Sequence, residues 1–196
     1  MAKLYFRYGT VGSAKTLNLL AVAHNYRQQG KRILLLRPEL DTRFGKESIK
    51  SRAGLEMAAD ILVAPKTPLL EMHWEGVSCI LVDEAQFLTG HNIEELRKIT
   101  LLKDVPVICY GLRTDFRTRL FDGSLRLMEL ADSIEEVKST CHYCNRKSVA
   151  NLKHVDGVAT LDGPVVQLGA EERYYPVCYK CYHVQIEQAA KQFAEV

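Results

Sequence analysis

Three groups of residues have types and spacings suited to chemistry. The first is Gly9-Thr-Val-Gly-Ser-Ala-Lys-Thr16. A phosphate-binding loop wants Gly, four residues, Gly, Lys, then Ser or Thr: backbone N–H groups cradle phosphate, the lysine reaches the β- and γ-phosphates, and the hydroxyl faces Mg²⁺. Ala14 stands where the second Gly belongs. The second group is the acidic pair Asp83-Glu84, which ends the apolar run in "CILVDEAQFL". Carboxyl ends of parallel strands are where open α/β sheets bind ligands. Asp83 suits holding Mg²⁺, directly or through water, and Glu84 points elsewhere and is placed to take a proton. The third group is Cys141-x-x-Cys144 and Cys178-x-x-Cys181. Two such knuckles have the spacing of a four-thiolate zinc ribbon, and four protein ligands leave no open position for water, so the site reads as structural. His183 lies close enough in sequence to substitute as a ligand.

Elements of the right kind surround these residues. "KLYFRY" reads as a strand before the loop and Thr16 to Gln29 as a helix after it, stopped by Gly30. "KRILLLR", "ADILVA", "SCILVD" and "PVICYG" read as further strands, apolar throughout as in a parallel sheet covered on both faces. Helical segments are expected near Pro68–Trp74, Asn92–Leu102 and Ser124–Leu130, with "SIEEVK" as an edge strand. This alternation predicts an α/β fold: a P-loop parallel open sheet flanked by helices. Pro38 to Gly54 and Gly111 to Gly123 read as long polar connections, of a length usually reserved for function. After residue 140 the pattern changes to short strands, Gly, Pro, Tyr and the cysteine pairs. A boundary is placed there, with residues 1–140 as the nucleotide-binding part and 141–196 as a small zinc-ribbon part ending in a helix.

Composition narrows the function classes. The 196 residues are 47% hydrophobic and 26% charged, which argues for a globular chain. A net charge of +2 gives no electrostatic footprint for broad nucleic-acid or membrane binding. The amino-terminal residues lack a signal-peptide layout and no apolar run is long enough to span a bilayer, so a cytoplasmic protein is expected. Cys79 and Cys109 sit in apolar strands and read as buried thiols.

The segments "YGTVGSAKT", "LDTRFG", "VDEAQFL", "YGLRTDF" and "GAEERYYPVC", with the cysteine pairs, occur in an order that resembles the zinc-containing, P-loop type of thymidine kinase over essentially the whole chain. The resemblance implies transfer of the ATP γ-phosphate to thymidine, and to deoxyuridine, with Mg²⁺ as cofactor and Zn²⁺ as a structural ion. It implies that Gly9, Thr10, Val11, Gly12, Ser13, Ala14, Lys15 and Thr16, with Asp83, Glu84, Ala85 and Gln86, form the ATP site. Glu84 resembles the general base. Phe87, Leu112, Phe116 and Tyr174 would line the thymine pocket, with Val11 nearby. The segment Val165, Val166, Gln167, Leu168, Gly169 would form a lasso that hydrogen-bonds the base. Cys141, Cys144, Cys178 and Cys181 would hold the zinc. Asp41 and Arg43 match a motif near the site. The family also implies a homotetramer and feedback inhibition by thymidine triphosphate. Ala14 departs from the usual Gly of the family; the departure costs little if the native φ there is negative.

Two other readings stay open at this point. A zinc-ribbon, nucleic-acid-dependent P-loop ATPase fits the "DEAQ" run, but near-neutral charge and a chain too short for a second motor domain stand against it. A catalytically inert regulatory protein fits Ala14, whereas the retained Lys15, Thr16, Asp83 and Glu84 oppose it. One of Arg113, Arg117 and Arg119, just past a strand end, is a candidate phosphate contact.

Overall fold

The computed structural model describes residues 1–40, 48–165 and 173–194. Six strands form the central sheet: β1 (Leu4–Tyr8), β2 (Arg32–Pro38), β5 (Ile61–Val63), β6 (Val77–Val82), β7 (Val107–Gly111) and β8 (Ser133–Glu136). Their order is β5-β2-β6-β7-β1-β8, and every pair is parallel. The expected edge strand is there: β8 pairs with β1 alone. A parallel sheet is buried on both faces, chiefly because crossover helices pack against it.

The period-two alternation of the strands divides that cover. Cys79, Leu81, Ile108 and Tyr110 pack with Leu19, Leu20 and Ala23 of α1 (Lys15–Gln28). Ile80, Val82, Val107 and Cys109 point the other way, toward Ile93, Leu96 and Ile99 of α2 (Gly90–Leu102) and Leu127 of α3 (Asp122–Leu130). Cys79 and Cys109 are both 0% exposed, as expected, and burial pushes the Cys79 thiol up to about 11. Thiols held protonated in this way are inert packing groups.

Two expectations shift in detail. Helix α2 starts two residues before Asn92, because Thr89 caps it: the Thr89 hydroxyl accepts from Asn92 N at 3.2 Å and the Asn92 amide oxygen accepts from Thr89 N at 3.2 Å. The segment Pro68–Trp74 forms only a short 3₁₀ turn, Leu69–Glu71. Met72 leaves the turn in an extended conformation, ψ 164°, and Trp74 folds back to donate Nε1–H to the Leu69 carbonyl at 2.8 Å.

The connection Pro38 to Gly54 is not all loop. Part of it pairs as an antiparallel hairpin, β3 (Ser48–Lys50) with β4 (Glu56–Ala58). Asp41 and Arg43 lie outside the described residues.

Beyond residue 140 a second sheet forms, in the order β10-β9-β11: β9 (Ala150–Val155), β10 (Val158–Thr160) and β11 (Arg173–Val177). Helix α4 (Tyr179–Ala194) follows it. Its buried cluster consists of Ala150, Leu152, Ala159, Val177, Tyr182 and Ala189 together with the cysteines. Such a small core is a weak source of stability by itself, which is where a structural metal contributes most. No helix among the described residues is long and apolar enough to cross a membrane.

Candidate active site

The sheet order explains why distant segments meet. Strand β7 lies between β1 and β6, so the ends of all three strands stand side by side. Gly9 N donates to the Gly111 carbonyl at 3.2 Å, which ties the loop after β1 to the end of β7. From there residues 9–16 turn into α1. The loop tightens through Ser13 N to the Thr10 carbonyl at 3.3 Å, and the buried Lys15 donates Nζ to that same carbonyl at 2.7 Å and to Ser13 Oγ at 3.3 Å.

Helix α1 has no side-chain cap. The first N–H groups of an uncapped helix and its dipole favour an anion. The condition set for Ala14 is not met: its φ is +63°, in the left-handed region, as is Gly12 at +71°. That conformation costs an L-residue about 1–2 kcal/mol. Ala14 nonetheless fits there, and its residue lines the cavity rather than plugging it.

At the end of β6, Asp83 is 7% exposed and both of its carboxylate oxygens lie 3.2 Å from the Thr16 hydroxyl, which has one proton to donate between them. Burial first, and then the neighbouring Glu84, push Asp83 up to about 7, against the opposing pull of Thr16. Glu84 takes a left-handed conformation, φ 49°, which turns its side chain off the line of the strand. Non-glycine residues in this region often mark functional sites.

The structure gives Gln86 a different place from its neighbours in the loop. Its side chain is 2% exposed and does not line the cavity. Its amide nitrogen donates to Glu84 Oε2, and its amide oxygen accepts from Leu112 N at 3.0 Å. A Cβ at Gly111 would stand 2.6 Å from that oxygen, so only glycine allows the bridge. Gln86 therefore positions Glu84 relative to the end of β7. Ala85 is fully buried behind it.

A cavity of about 340 Å³ is lined by Val11, Gly12, Ser13, Ala14, Lys15, Thr16 and Leu17, and by Glu84 and Leu112. Lys50, Ser51, Arg52 and Ala53 from the β3–β4 hairpin complete it. The sequence reading missed this hairpin; the basic residues of "IKSRAG" were its one signal. None of Arg113, Arg117 and Arg119 lines the cavity. Arg113 instead donates to the Val149 carbonyl at 3.2 Å.

The expected nucleoside residues fall into separate groups. Phe116 is 1% exposed and its ring lies 6.3 Å from that of Tyr174. Phe87 stands edge-on to Phe121 at 5.6 Å. Val165 is half-buried. Val166, Gln167, Leu168 and Gly169 lie outside the described residues. Asp115, unremarked in the sequence, organises the loop that carries Phe116: its Oδ1 accepts from Arg117 N and Arg119 N, both at 2.9 Å.

The second sheet docks directly on the phosphate loop. Asn151 of β9, 3% exposed, accepts from Val11 N at 2.9 Å and donates to the Thr114 carbonyl at 3.1 Å. The Thr10 and Ser148 hydroxyls are hydrogen-bonded at 2.8 Å. The four sulfurs of Cys141, Cys144, Cys178 and Cys181 lie within 4.8 Å of one another. Cys144 Sγ stands 3.7 Å from Cys178 Sγ and 3.8 Å from Cys181 Sγ. A tetrahedron with metal–sulfur bonds of about 2.3 Å has edges of about 3.8 Å, so the donor set fits one ion. Burial acts to raise the Cys141 thiol, but backbone hydrogen bonds at Cys178 and Tyr143, together with the Cys144 thiol and backbone, outweigh it and bring it to about 7. His183 stays out of the cluster and packs edge-on against Tyr179.

A strand, a lysine-bearing loop opening a helix, and a buried acidic strand end facing the loop define a P-loop nucleotide-binding protein. Comparison with known proteins narrows the class. A family profile described as thymidine kinase matches residues 2–182. A thymidine kinase of Streptococcus gordonii is 43% identical over 185 residues, covering 93% of this chain and 96% of that one. One from Enterococcus faecalis is 42% identical over 185 residues, with 93% and 95% covered. One from Lactobacillus acidophilus is 41% identical over 198 residues, with 95% and 99% covered. The chain belongs to the thymidine kinase family.

The strain at Ala14 makes a prediction. In Ala14→Gly the relief of left-handed strain outweighs the added freedom of the unfolded chain, for a net gain of about 0.5–1 kcal/mol. Urea unfolding should show a higher midpoint with an unchanged slope, and the KM for ATP should not rise. A lower midpoint would show that the Ala14 methyl makes contacts worth more than the strain.

Proposed function

We propose that this thymidine kinase family member transfers the γ-phosphate of ATP to the 5′-hydroxyl of thymidine in the cavity between the phosphate loop and Glu84. One observation carries the reading: Lys15 and Thr16 of the loop and Glu84 line the same cavity. Phosphoryl transfer needs a phosphate cradle on one side and a group that orients the acceptor hydroxyl on the other.

The roles follow from chemistry. Backbone N–H groups of residues 9–16 hold the phosphates, and Lys15 offsets the charge on the transferring group. Thr16 and Asp83 would hold Mg²⁺; a hydroxyl beside a buried carboxylate suits a small hard cation. An Mg²⁺ ion held there would supply positive charge to offset that of the phosphates. Glu84, held by Gln86, accepts the 5′-hydroxyl proton as the oxygen attacks. Phe116 and Tyr174, whose rings pack 6.3 Å apart, are candidates for the apolar wall of the thymine pocket. Phe87 and Leu112 are further candidates for that pocket, and residues 165–169 for main-chain contacts to the base. The cysteine cluster would take Zn²⁺, which four thiolates commonly hold tetrahedrally in structural sites. A two-part chain divided near residue 140, a cytoplasmic site of action, a tetrameric assembly and inhibition by thymidine triphosphate complete the proposal.

Purified protein with Mg²⁺-ATP and a panel of deoxynucleosides should yield thymidine 5′-monophosphate, and the monophosphate of deoxyuridine, in preference to purine products. Glu84→Gln should retain its fold and metal but lose about 10²–10⁴-fold in kcat. Thymidine turnover close to that of the unaltered protein would remove Glu84 from the role of base. ATP hydrolysis stimulated by DNA, with no nucleoside product, would favour the nucleic-acid-dependent ATPase instead.

Elemental analysis of the purified protein should find one zinc per chain. In Cys141→Ser the zinc content should fall and the urea midpoint should drop. Full zinc retention in that variant would show that Cys141 is not a ligand.

A further inference from the structure

Lys153 is a charged residue only 1% exposed, on the middle strand of the second sheet. Its register partners are Thr160 on β10 and Tyr174 on β11. Lysine is almost never buried this fully unless its charge is satisfied. Its described contacts converge on one place. Nζ lies 5.0 Å from the centre of the Phe116 ring and donates to the Asp162 carbonyl at 3.2 Å. Arg117 follows Phe116 in the chain and does the same from the other segment. Its guanidinium carbon lies 4.8 Å from the same ring centre, Nε donates to the Leu161 carbonyl at 2.8 Å, and Nη2 donates to the Gly163 carbonyl. Gly163 sits at φ +88°, and a Cβ there would stand 2.8 Å from Lys153 Nζ. The backbone that carries the ring is held as well, since the Tyr182 hydroxyl of α4 donates to the Phe116 main-chain carbonyl at 2.6 Å.

Two cations thus hold three successive carbonyls, residues 161–163, against one aromatic ring. A ring face attracts cations and a carbonyl accepts from them, so both contacts tighten the same junction. The junction joins the loop after β7 to the chain leaving β10. Neither cation lines the cavity at the phosphate loop.

We propose that Lys153 and Arg117 are positioning residues for the nucleoside: a two-cation anchor that fixes residues 161–163 onto Phe116 and so sets the shape of the thymine pocket. The anchor rests on the reading of Phe116 as a thymine-pocket residue. It acts on nucleoside affinity and leaves the phosphate-donor side unaffected.

The test compares Lys153→Met, Lys153→Arg, Arg117→Gln and Phe116→Ala in the full chain, with zinc content checked for each. Lys153→Met keeps the bulk and loses the charge. It should raise the KM for thymidine about tenfold, from the loss of the described ring contact and charged hydrogen bond. The KM for ATP and kcat should stay within about twofold, a split that general destabilisation would not produce. Lys153→Arg should recover most of the affinity. Arg117→Gln, at a half-buried position that tolerates change, should reproduce the thymidine effect if Lys153→Met does not fold. Hydrogen exchange at residues 161–165 should quicken in both charge-loss variants. Unchanged thymidine KM in both, or an equal rise in both KM values, overturns the anchor. Phe116→Ala separates the two ideas. If it raises the thymidine KM while the cation variants do not, only the anchor fails; if it has no effect, the reading of Phe116 fails and the anchor's role in nucleoside binding fails with it.

Discussion

The buried carboxylate of Asp83, with the Thr16 hydroxyl within reach of both its oxygens, is the constraint on which the site depends. A carboxylate this deep, with Glu84 as its neighbour, is held up near 7. The hydroxyl and the nearby Lys15 only partly offset burial and repulsion. An acidic pair of this kind is unfavourable in an empty protein and favourable beside a cation. The fold makes the arrangement possible because β6, β7 and β1 are adjacent and parallel, so the acidic end of β6 and the phosphate loop after β1 leave the sheet on the same side. Hydrophobic cover on both faces keeps those strand ends in register.

The second sheet extends this logic. It is not an appendage beside the kinase site, since Asn151 ties its central strand both to the phosphate loop and to the turn carrying Phe116. Lys153, two residues along the same strand, reaches Phe116 and the chain beyond β10. One strand therefore touches both the phosphate loop and the turn that carries Phe116. A metal that stiffens this sheet would act on both, although its sulfur cluster contributes no group to the cavity.

Much of this was legible in the sequence. The loop, the acidic strand end and the cysteine pairs are short-range patterns, and each is set by local spacing; the parallel sheet follows from continuous apolar strands alternating with helices. What escaped depends on long-range geometry. The positive φ of Ala14 is imposed by the turn into α1 against the residue's own preference. The family resemblance puts Gln86 in the ATP site, yet in the structure its side chain bridges Glu84 and Leu112 N, at a different strand end. The β3–β4 hairpin lies in a polar stretch with no hydrophobic alternation strong enough to announce it. Lys153 sits in "NLKHV" like any exposed strand lysine, and only the fold brings Phe116 to it. Arg113 and Arg117 read as phosphate candidates because they follow a strand end; in the structure their charge is spent on carbonyls of the second sheet and its connections.

The central claim is that Thr16 and Asp83 turn the phosphate loop into a site for a metal-bound nucleotide. Calorimetric titration of ATP, with Mg²⁺ and with a chelator, into the unaltered protein and Asp83→Asn tests it directly. The account predicts that Mg²⁺ tightens ATP binding at least ~10-fold in the unaltered protein. In Asp83→Asn that gain should vanish, with metal-free ATP binding undiminished because a negative charge has left the cradle. An Asp83→Asn protein that keeps the full Mg²⁺ dependence would contradict the account.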